Sequence, residues 1–288
     1  MYELTNISVI RELLSRHGFA FTKSLGQNFL TSPFVVEEIA HSACTSPDIG
    51  IIEIGPGMGT LTAQLCKLAE KVVAIEIDRK LIPVLQDTMG DFDNFTLIHA
   101  DVMKTDLNAL IDEHFAGMEV VICANLPYYI TTPILTMILE NRVKVKRMVA
   151  MMQKEVAKRV CADPDTADYG AITLAVQYYS APEILFDVAP GNFIPAPKVT
   201  SSVVNFTVLG TPPVQVKNEK LYFSLIKAAF SQRRKTLQNA LSNQINGIDK
   251  QQLHDVMERI GLPANIRGEA LGAQQFAALS DAIEQLKR

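Results

Sequence analysis

Short apolar runs, separated by stretches of helical periodicity, recur through the first two thirds of the chain. Five of these runs have the length and composition of strands, at residues 50–55, 72–78, 95–101, 119–125 and 147–153. Runs this apolar are typical of strands that are covered on both faces, as in a doubly wound parallel sheet. The alternation therefore predicts an α/β fold with a mainly parallel sheet.

Two further runs, at residues 183–190 and 199–209, are too close together for a parallel crossover. We expect them to form an antiparallel pair at one edge of the sheet. The sequence GTPPVQ that follows is rich in residues that break helices and strands, and beyond it only helices are predicted. We therefore expect an α/β domain over residues 1–210, with an N-terminal helical segment at 1–30, and a small all-helical domain over 211–288.

The composition indicates an ordinary globular protein and excludes several classes. Hydrophobic residues make up 48% of the 288 residues, yet no apolar run approaches the roughly 20 residues that a membrane span needs. The N-terminal sequence lacks the basic-then-apolar pattern of a secretion signal, so we expect a cytoplasmic protein. The four cysteines are far apart, without a CxxC pair or a histidine at metal spacing, which predicts reduced thiols and no metal site.

Charge is distributed unevenly along the chain. The net charge is −4, but residues 215–288 contain 11 Lys and Arg against 7 Asp and Glu, which leaves 16 against 24 for the rest. The net negative charge argues against indiscriminate nucleic-acid binding, whereas the basic C-terminal region permits a local contact with a polyanion.

A glycine turn and two carboxylates follow the first three predicted strands. The sequence GPGMG begins at Gly55 and contains Gly57, and its glycines allow a tight turn and close approach of a ligand, although a purely structural turn would use them too. Glu76, at the end of the next strand, is placed to accept hydrogen bonds from a ribose, which NAD and S-adenosylmethionine (SAM) both carry. Asp101 closes the third strand and is placed for an adenine amino group, or alternatively for a helix N-cap.

The fourth strand ends in the residues Asn125, Leu126, Pro127 and Tyr128. An adenine amino group is a poor nucleophile because its lone pair is delocalised into the ring. Two acceptors, the Asn125 side-chain oxygen and the Leu126 carbonyl, could draw its nitrogen toward tetrahedral geometry and so free that lone pair. Pro127 fixes the backbone and the Tyr128 ring can stack on the base, whereas the alternative is a capping Asn beside a packed Tyr.

Five segments together resemble a known family. They are EIGPGMGTLT, NLPYYITTP, KSLGQNFL at 23–30, NFIPAPKVTSSVV at 192–204 and FSQRRKTLQNAL at 230–241. Taken in their order along the chain, they resemble the bacterial small-subunit rRNA adenine dimethyltransferases (the KsgA/RsmA family), from about residue 8 to the sequence IRGEALGAQQFAAL. The resemblance implies a Rossmann-like class I SAM-dependent methyltransferase fold with a C-terminal helical RNA-binding domain, and SAM as the cosubstrate.

The resemblance also assigns cofactor contacts. Gln27, Asn28 and Leu30 are expected at the methionine end of SAM, above Gly55, and Val102 is expected with Asp101 beside the adenine. Asn125 is expected between the cofactor and the target base.

The RNA contacts follow from the same resemblance. Phe193 is expected to give the target base a second aromatic face, opposite Tyr128. The residues expected at RNA phosphates are Lys198, Arg233, Arg234 and Lys235. A helix from Glu219 to Leu241 would present Arg234 and Lys235 away from its apolar side, as any solvated helix face presents its charges. Two positions depart from the usual family pattern, Tyr129 in place of Asn and Thr200 in place of Asp.

The implied reaction is transfer of SAM methyl groups to N6 of two adjacent adenosines near the 3′ end of 16S rRNA, in the assembling 30S subunit, by a monomer. Three alternatives stay open at this point. One is a 23S rRNA adenine N6-methyltransferase of the macrolide-resistance type, and another is a non-catalytic assembly or transcription factor. The third is an NAD-dependent oxidoreductase that uses the same glycine turn.

Overall fold

The structure, a computed structural model, describes residues 2–21, 26–242, 244–245 and 248–286. Its strands are β1 (Phe29–Leu30), β2 (Ile49–Ile54), β3 (Lys71–Glu76), β4 (Phe95–His99), β5 (Glu119–Asn125), β6 (Arg147–Gln153), β7 (Ser180–Val188), β8 (Phe193–Ile194) and β9 (Ser201–Val208). Its α-helices are α1 (Ile7–Arg16), α2 (Pro33–Ala43), α3 (Thr60–Leu68), α4 (Ile82–Met89), α5 (Leu107–His114), α6 (Thr131–Glu140), α7 (Lys154–Val160), α8 (Ala171–Tyr179), α9 (Glu219–Ser231), α10 (Leu237–Leu241), α11 (Lys250–Arg259) and α12 (Ala273–Leu286).

The main sheet has the strand order β4-β3-β2-β5-β6-β9-β7. The five strands from β4 to β6 are parallel, which confirms the predicted α/β class and each of its five apolar runs. Strand β9 pairs antiparallel with β6, and β7 lies beside β9 at the edge, where both were expected. A separate two-stranded ladder joins β1 to β8.

The central strands are apolar because helices cover the sheet. All six residues of β2 are buried, and β5 is buried from Val120 to Ala124. Helices α2 and α3 pack together on the face that carries Ile49, Ile51, Val121 and Cys123, and these side chains belong to one hydrophobic core. No α-helix in the described part of the chain is long and apolar enough to cross a membrane.

The chain divides into two compact units. One comprises residues 1–157 and 181–208 and contains the sheet, and the other comprises 158–180 and 209–288 and is mainly helical. The break after residue 208 lies near the predicted boundary at 210, but residues 158–180 belong to the helical unit and not to the predicted first domain. The physical reason is that α8 packs on α9, with the Tyr178 and Tyr222 rings 5.4 Å apart.

The predicted helix from Glu219 to Leu241 is interrupted. Helix α9 ends at Ser231, whose hydroxyl donates to the Ala228 carbonyl, and α10 begins after Thr236. Between the two helices, the Lys235 N–H donates to the Gln232 carbonyl in a turn. The sequence RRK therefore lies in this turn and not on a helix face.

Candidate active site

A cleft opens at the edge of the sheet where β2, β3, β4 and β5 end. Parallel strands bring their carboxyl ends to one edge, where α/β sheets bind small molecules. The cleft encloses about 1060 Å³ of empty space, including solvent at its mouth, which is ample for a nucleoside cofactor. Its wall contains the predicted residues Gln27, Asn28, Leu30, Gly55, Gly57, Glu76, Asp101, Val102, Asn125, Leu126, Pro127 and Tyr128.

The turn from β2 to α3 requires glycine. Gly55, Gly57 and Gly59 have φ angles of 72°, 63° and 94°, which are left-handed values that L-residues rarely adopt. A Cβ at Gly57 would lie 3.1 Å from the Phe29 ring, whereas a Cβ at Gly55 would meet no protein atom within 4 Å. Because Gly55 lines the cleft, its bare backbone is open to close approach of a ligand.

Glu76 ends β3 and is tied to the glycine turn. Its Oε2 accepts the Gly57 N–H at 3.3 Å, and its Oε1 accepts the Asp78 N–H at 2.8 Å. The residue is 5% exposed, and burial raises the pKa of its carboxyl to about 7. The carboxylate is therefore held in one orientation, where further hydrogen-bond donors from a ligand would stabilise its ionised form.

Residues 26–30, here named the strap, form another part of the cleft wall. The Gln27 amide donates to Asp78 Oδ2 at 2.7 Å, and the Asn28 amide donates to the Gly26 carbonyl at 2.9 Å. At its end, β1 pairs with β8, and the Thr31 N–H donates to the Asn192 carbonyl. Residues 23–25 of the KSLGQNFL motif lie outside the described residues.

The two predicted acceptors at the end of β5 are available to a ligand. The Asn125 amide nitrogen donates to the Asn28 carbonyl at 3.1 Å, so its Oδ1 is the atom left to accept a hydrogen bond. The Leu126 N–H donates to the Met151 carbonyl, and none of the described residues donates to the Leu126 carbonyl. Both residues line the cleft, as the proposed chemistry on an amino group requires.

The two aromatic residues that were expected to contact the target base, Tyr128 and Phe193, lie in different surroundings. Tyr128 lines the cleft, and its hydroxyl lies 2.6 Å from Ser201 Oγ, while burial raises its pKa. Phe193 does not line the cleft. It pairs with Leu30 in the β1–β8 ladder and is 5% exposed, because its ring fills the hydrophobic core. Of these two rings, Tyr128 lines the cleft, and the expected contact of Phe193 with the target base stays a prediction.

Asp101 and Val102 line the cleft directly after β4. Asp101 also accepts the Met103 N–H at 3.0 Å and so caps the short 3-10 turn that follows. The capping alternative is therefore present in the same side chain. One oxygen serves the cap, and the residue remains in the wall of the cleft.

Among the residues of the cleft wall that were not assigned from the sequence are Glu53, Ile77 and Tyr129. Glu53 is 1% exposed, its Oε2 has no partner among the described residues, and burial raises its pKa to about 8. Its signal in the sequence is a single carboxylate inside the apolar run IIEIG. Ile77 and Tyr129 are 51% and 57% exposed, and their signal is their position beside Glu76 and Tyr128.

The predicted RNA-binding residues belong to different units of the chain. Lys198 is exposed in the sheet unit, and the other three lie in the turn after α9. Arg233 is engaged within its own unit, since its guanidinium donates twice to the Ala167 carbonyl at 3.2 Å and pairs with Glu269 at 3.4 Å. Arg234 and Lys235 are exposed, and neither side chain is in an ion pair with another described residue.

Comparisons with solved structures agree with this fold. A dimethyladenosine transferase from Plasmodium falciparum has a TM-score of 0.72 and 26% identity, over 87% of this chain and 95% of that one. The 23S rRNA methyltransferase ErmE has a TM-score of 0.67 and 23% identity, over 90% of this chain and all of that one. The second likeness concerns the fold alone, which is that of the class I SAM-dependent methyltransferases.

Comparisons of sequence identify the family. The ribosomal RNA small subunit methyltransferase A of Geobacillus thermodenitrificans is 47% identical over 281 residues, which cover 96% of each chain. The protein of the same name from Lachnoclostridium phytofermentans is 47% identical over 276 residues, 95% of each chain. The family model for the ribosomal RNA adenine dimethylases matches residues 18–284. The chain therefore belongs to the ribosomal RNA adenine dimethylase family.

Proposed function

We propose that the protein transfers methyl groups from SAM to N6 of two adjacent adenosines near the 3′ end of 16S rRNA, giving dimethyladenosine, while the small ribosomal subunit is assembled. The observation that carries the proposal is the Asn125 amide, whose nitrogen is held by the Asn28 carbonyl and whose oxygen is left to accept from a target amine. Membership of the family supports rRNA as the substrate.

The residues of the cleft fit SAM. The Glu76 carboxylate would accept hydrogen bonds from the ribose hydroxyls, next to the open backbone of Gly55. The buried Oε2 of Glu53 lacks a partner among the described residues, and the ammonium group of a methionine moiety would supply one. Asp101 and Val102 would flank the adenine. The proposed reaction needs no metal ion.

When bound, SAM supplies an electrophilic methyl group on its sulfonium. Asn125 Oδ1 and the Leu126 carbonyl would accept the two N–H groups of the adenine amine and so free its lone pair for attack. Neutral acceptors also stabilise the positive charge that grows on the amine nitrogen. The methylated ammonium is acidic enough to lose its proton to water, so the protein needs no general base before attack.

The RNA must deliver an unstacked base to the cleft, which costs least in a loop or single strand. The Tyr128 ring, whose hydroxyl is fixed by Ser201, would stack on that base. Lys198, Arg234 and Lys235 are exposed cations that would contact phosphates, the last two from the C-terminal helical unit. We propose that the protein does this work as a monomer in the cytoplasm.

The test is methyl transfer from labelled SAM to purified small subunits that lack the modification, followed by nucleoside analysis. We expect label in 16S rRNA as dimethyladenosine, and no label with the Asn125→Ala variant. Label on large-subunit RNA instead would move the protein to the macrolide-resistance type of activity. No label on either RNA, with the cofactor still bound, would make it a binding protein in subunit assembly.

A further inference from the structure

Three hydrogen bonds form a path from Glu76 through the strap to Asn125. Asp78 Oδ2 accepts the Gln27 amide at 2.7 Å, and the next residue of the strap, Asn28, accepts the Asn125 amide at 3.1 Å. Asp78 in turn donates its backbone N–H to Glu76 Oε1 at 2.8 Å. The path therefore runs from the carboxylate proposed for the ribose to the amide proposed for the target base.

We infer that Asp78 is a positioning residue for catalysis, which holds the strap through Gln27 so that the Asn28 carbonyl keeps the Asn125 oxygen toward the target amine. The inference rests on the proposed function of the cleft. Gln27 lines the cleft while its amide donates to Asp78, so its expected contact with the methionine end of the cofactor stays a prediction.

A purely local role for Asp78 leaves one of its two side-chain hydrogen bonds unexplained. Its Oδ1 accepts the Lys80 N–H at 3.0 Å, which is the local turn that an Asp commonly makes. Its Oδ2 reaches 51 residues back along the chain to Gln27, and the side chain is buried at 8% exposure. The second oxygen therefore serves the strap and not the turn.

The orientation of Asn125 matters because its amide has two chemically opposite ends. With its nitrogen on the Asn28 carbonyl, the oxygen is left as an acceptor. If the strap moves away, the amide loses the contact that distinguishes its two ends. A nitrogen turned toward the target would present a donor to a donor and would abolish the acceptor that the amine needs.

The pair Gln27 and Asp78 permits an exchange of donor and acceptor. In Gln27→Glu, two carboxylates face each other and should separate the strap from Asp78. In the double variant Gln27→Glu with Asp78→Asn, the new Asn donates to the new Glu, while its oxygen still accepts the Lys80 N–H. The double variant thus restores the contact with the same net charge.

A matched control for lost local structure is Asp106→Ala. Asp106 caps α5 by accepting the Asn108 and Ala109 N–H groups at 3.0 Å, so its removal costs a cap without touching the strap. It controls for general destabilisation of the sheet unit.

The experiment measures two quantities for each variant: kcat for methyl transfer to unmodified small subunits, and hydrogen–deuterium exchange of residues 26–31 in the ligand-free protein. We expect Gln27→Glu to speed exchange of the strap and to lower kcat about tenfold, which corresponds to about 1.4 kcal/mol. The double variant should recover both quantities to within about twofold of the wild type, and Asp106→Ala should change neither by more than that.

Normal kcat and normal exchange in Gln27→Glu would overturn the inference, and so would a double variant no better than the single one. Fast exchange of the strap with unchanged kcat would show that the strap does not position Asn125. If the wild type itself transfers no methyl group, the proposed function fails, while the exchange data still decide whether Asp78 holds the strap.

Discussion

Protonation of Glu76 should control cofactor affinity, and we expect this most clearly in a Glu53→Gln background. That variant should bind S-adenosylhomocysteine about 25-fold more weakly at pH 5.5 than at pH 7.5. This ligand has the ribose of SAM but no transferable methyl group. Burial raises the pKa of Glu76 to about 7, so below that pH a ligand whose ribose donates to the carboxylate must first displace a proton. The background is needed because Glu53, with a pKa of about 8, would add its own pH dependence.

The magnitude follows from the ionised fraction of Glu76. With a pKa of about 7, that fraction falls from about 0.76 at pH 7.5 to about 0.03 at pH 5.5. The range stops at pH 7.5 because an α-amino group like that of the ligand titrates near 7.7–8.0.

The raised pKa of Glu76 also determines how the stability of the ligand-free protein depends on pH. The folded protein holds this proton more tightly than the unfolded chain, whose pKa is 4.5, so ligand-free stability falls as pH rises from about 4.5 to about 7, by about 3 kcal/mol when complete.

The assay is isothermal titration calorimetry from pH 5.5 to 7.5, in two buffers of different ionisation enthalpy, so that released protons are counted. Adding Glu76→Gln to the Glu53→Gln background should give weak binding that no longer depends on pH. The wild type should show a steeper dependence than Glu53→Gln alone. A constant Kd in the Glu53→Gln variant, or the same pH profile after Glu76→Gln, would refute the assignment of the ribose to Glu76.

Three further changes have distinct expected results. Asn125→Ala should lower kcat about 10²–10³-fold, by analogy with removal of one oxyanion-hole group, while the cofactor Kd stays within about threefold of the wild-type value. Equal losses in binding and turnover would contradict its role. Arg234→Ala with Lys235→Ala should reduce the slope of log K against log salt for RNA by about 1–2, whereas Arg233→Ala should lower the melting temperature and spare that slope. Gly57→Ala should lower the free energy of unfolding by about 1 kcal/mol or more, because Gly57 has a φ of 63° and the added Cβ would lie 3.1 Å from the Phe29 ring. An unchanged midpoint of urea unfolding would contradict this prediction.

The sheet and most of the cleft could be predicted because they depend on local patterns. Runs such as 119–125 are apolar on both faces, and parallel strands necessarily bring their carboxyl ends to one edge. Gly55, Glu76 and Asn125 stand at those ends, so their convergence followed from the strand boundaries alone. Glu53 was missed because its only signal in the sequence is one charged residue within a strand. That residue points to the cleft only once its burial is known.

The failures depend on contacts between residues far apart in sequence. Periodicity continues through the sequence FSQRRKTLQNAL, but the chain turns there because Arg233 bonds to the Ala167 carbonyl and the Leu237 N–H bonds to the Ile266 carbonyl. The burial of Phe193 was equally hidden in the sequence, because it depends on pairing with Leu30. The spacing of residues in the sequence does not reveal which distant residues will make these contacts.

The most direct test of the proposed chemistry is mass spectrometry of the 3′-terminal fragment of 16S rRNA, after reaction of unmodified small subunits with the wild-type protein and SAM. The fragment should gain four methyl groups, two on N6 of each of two adjacent adenosines. Methyl groups elsewhere in the RNA, on another atom of the base, or on a single adenosine of large-subunit RNA would contradict it.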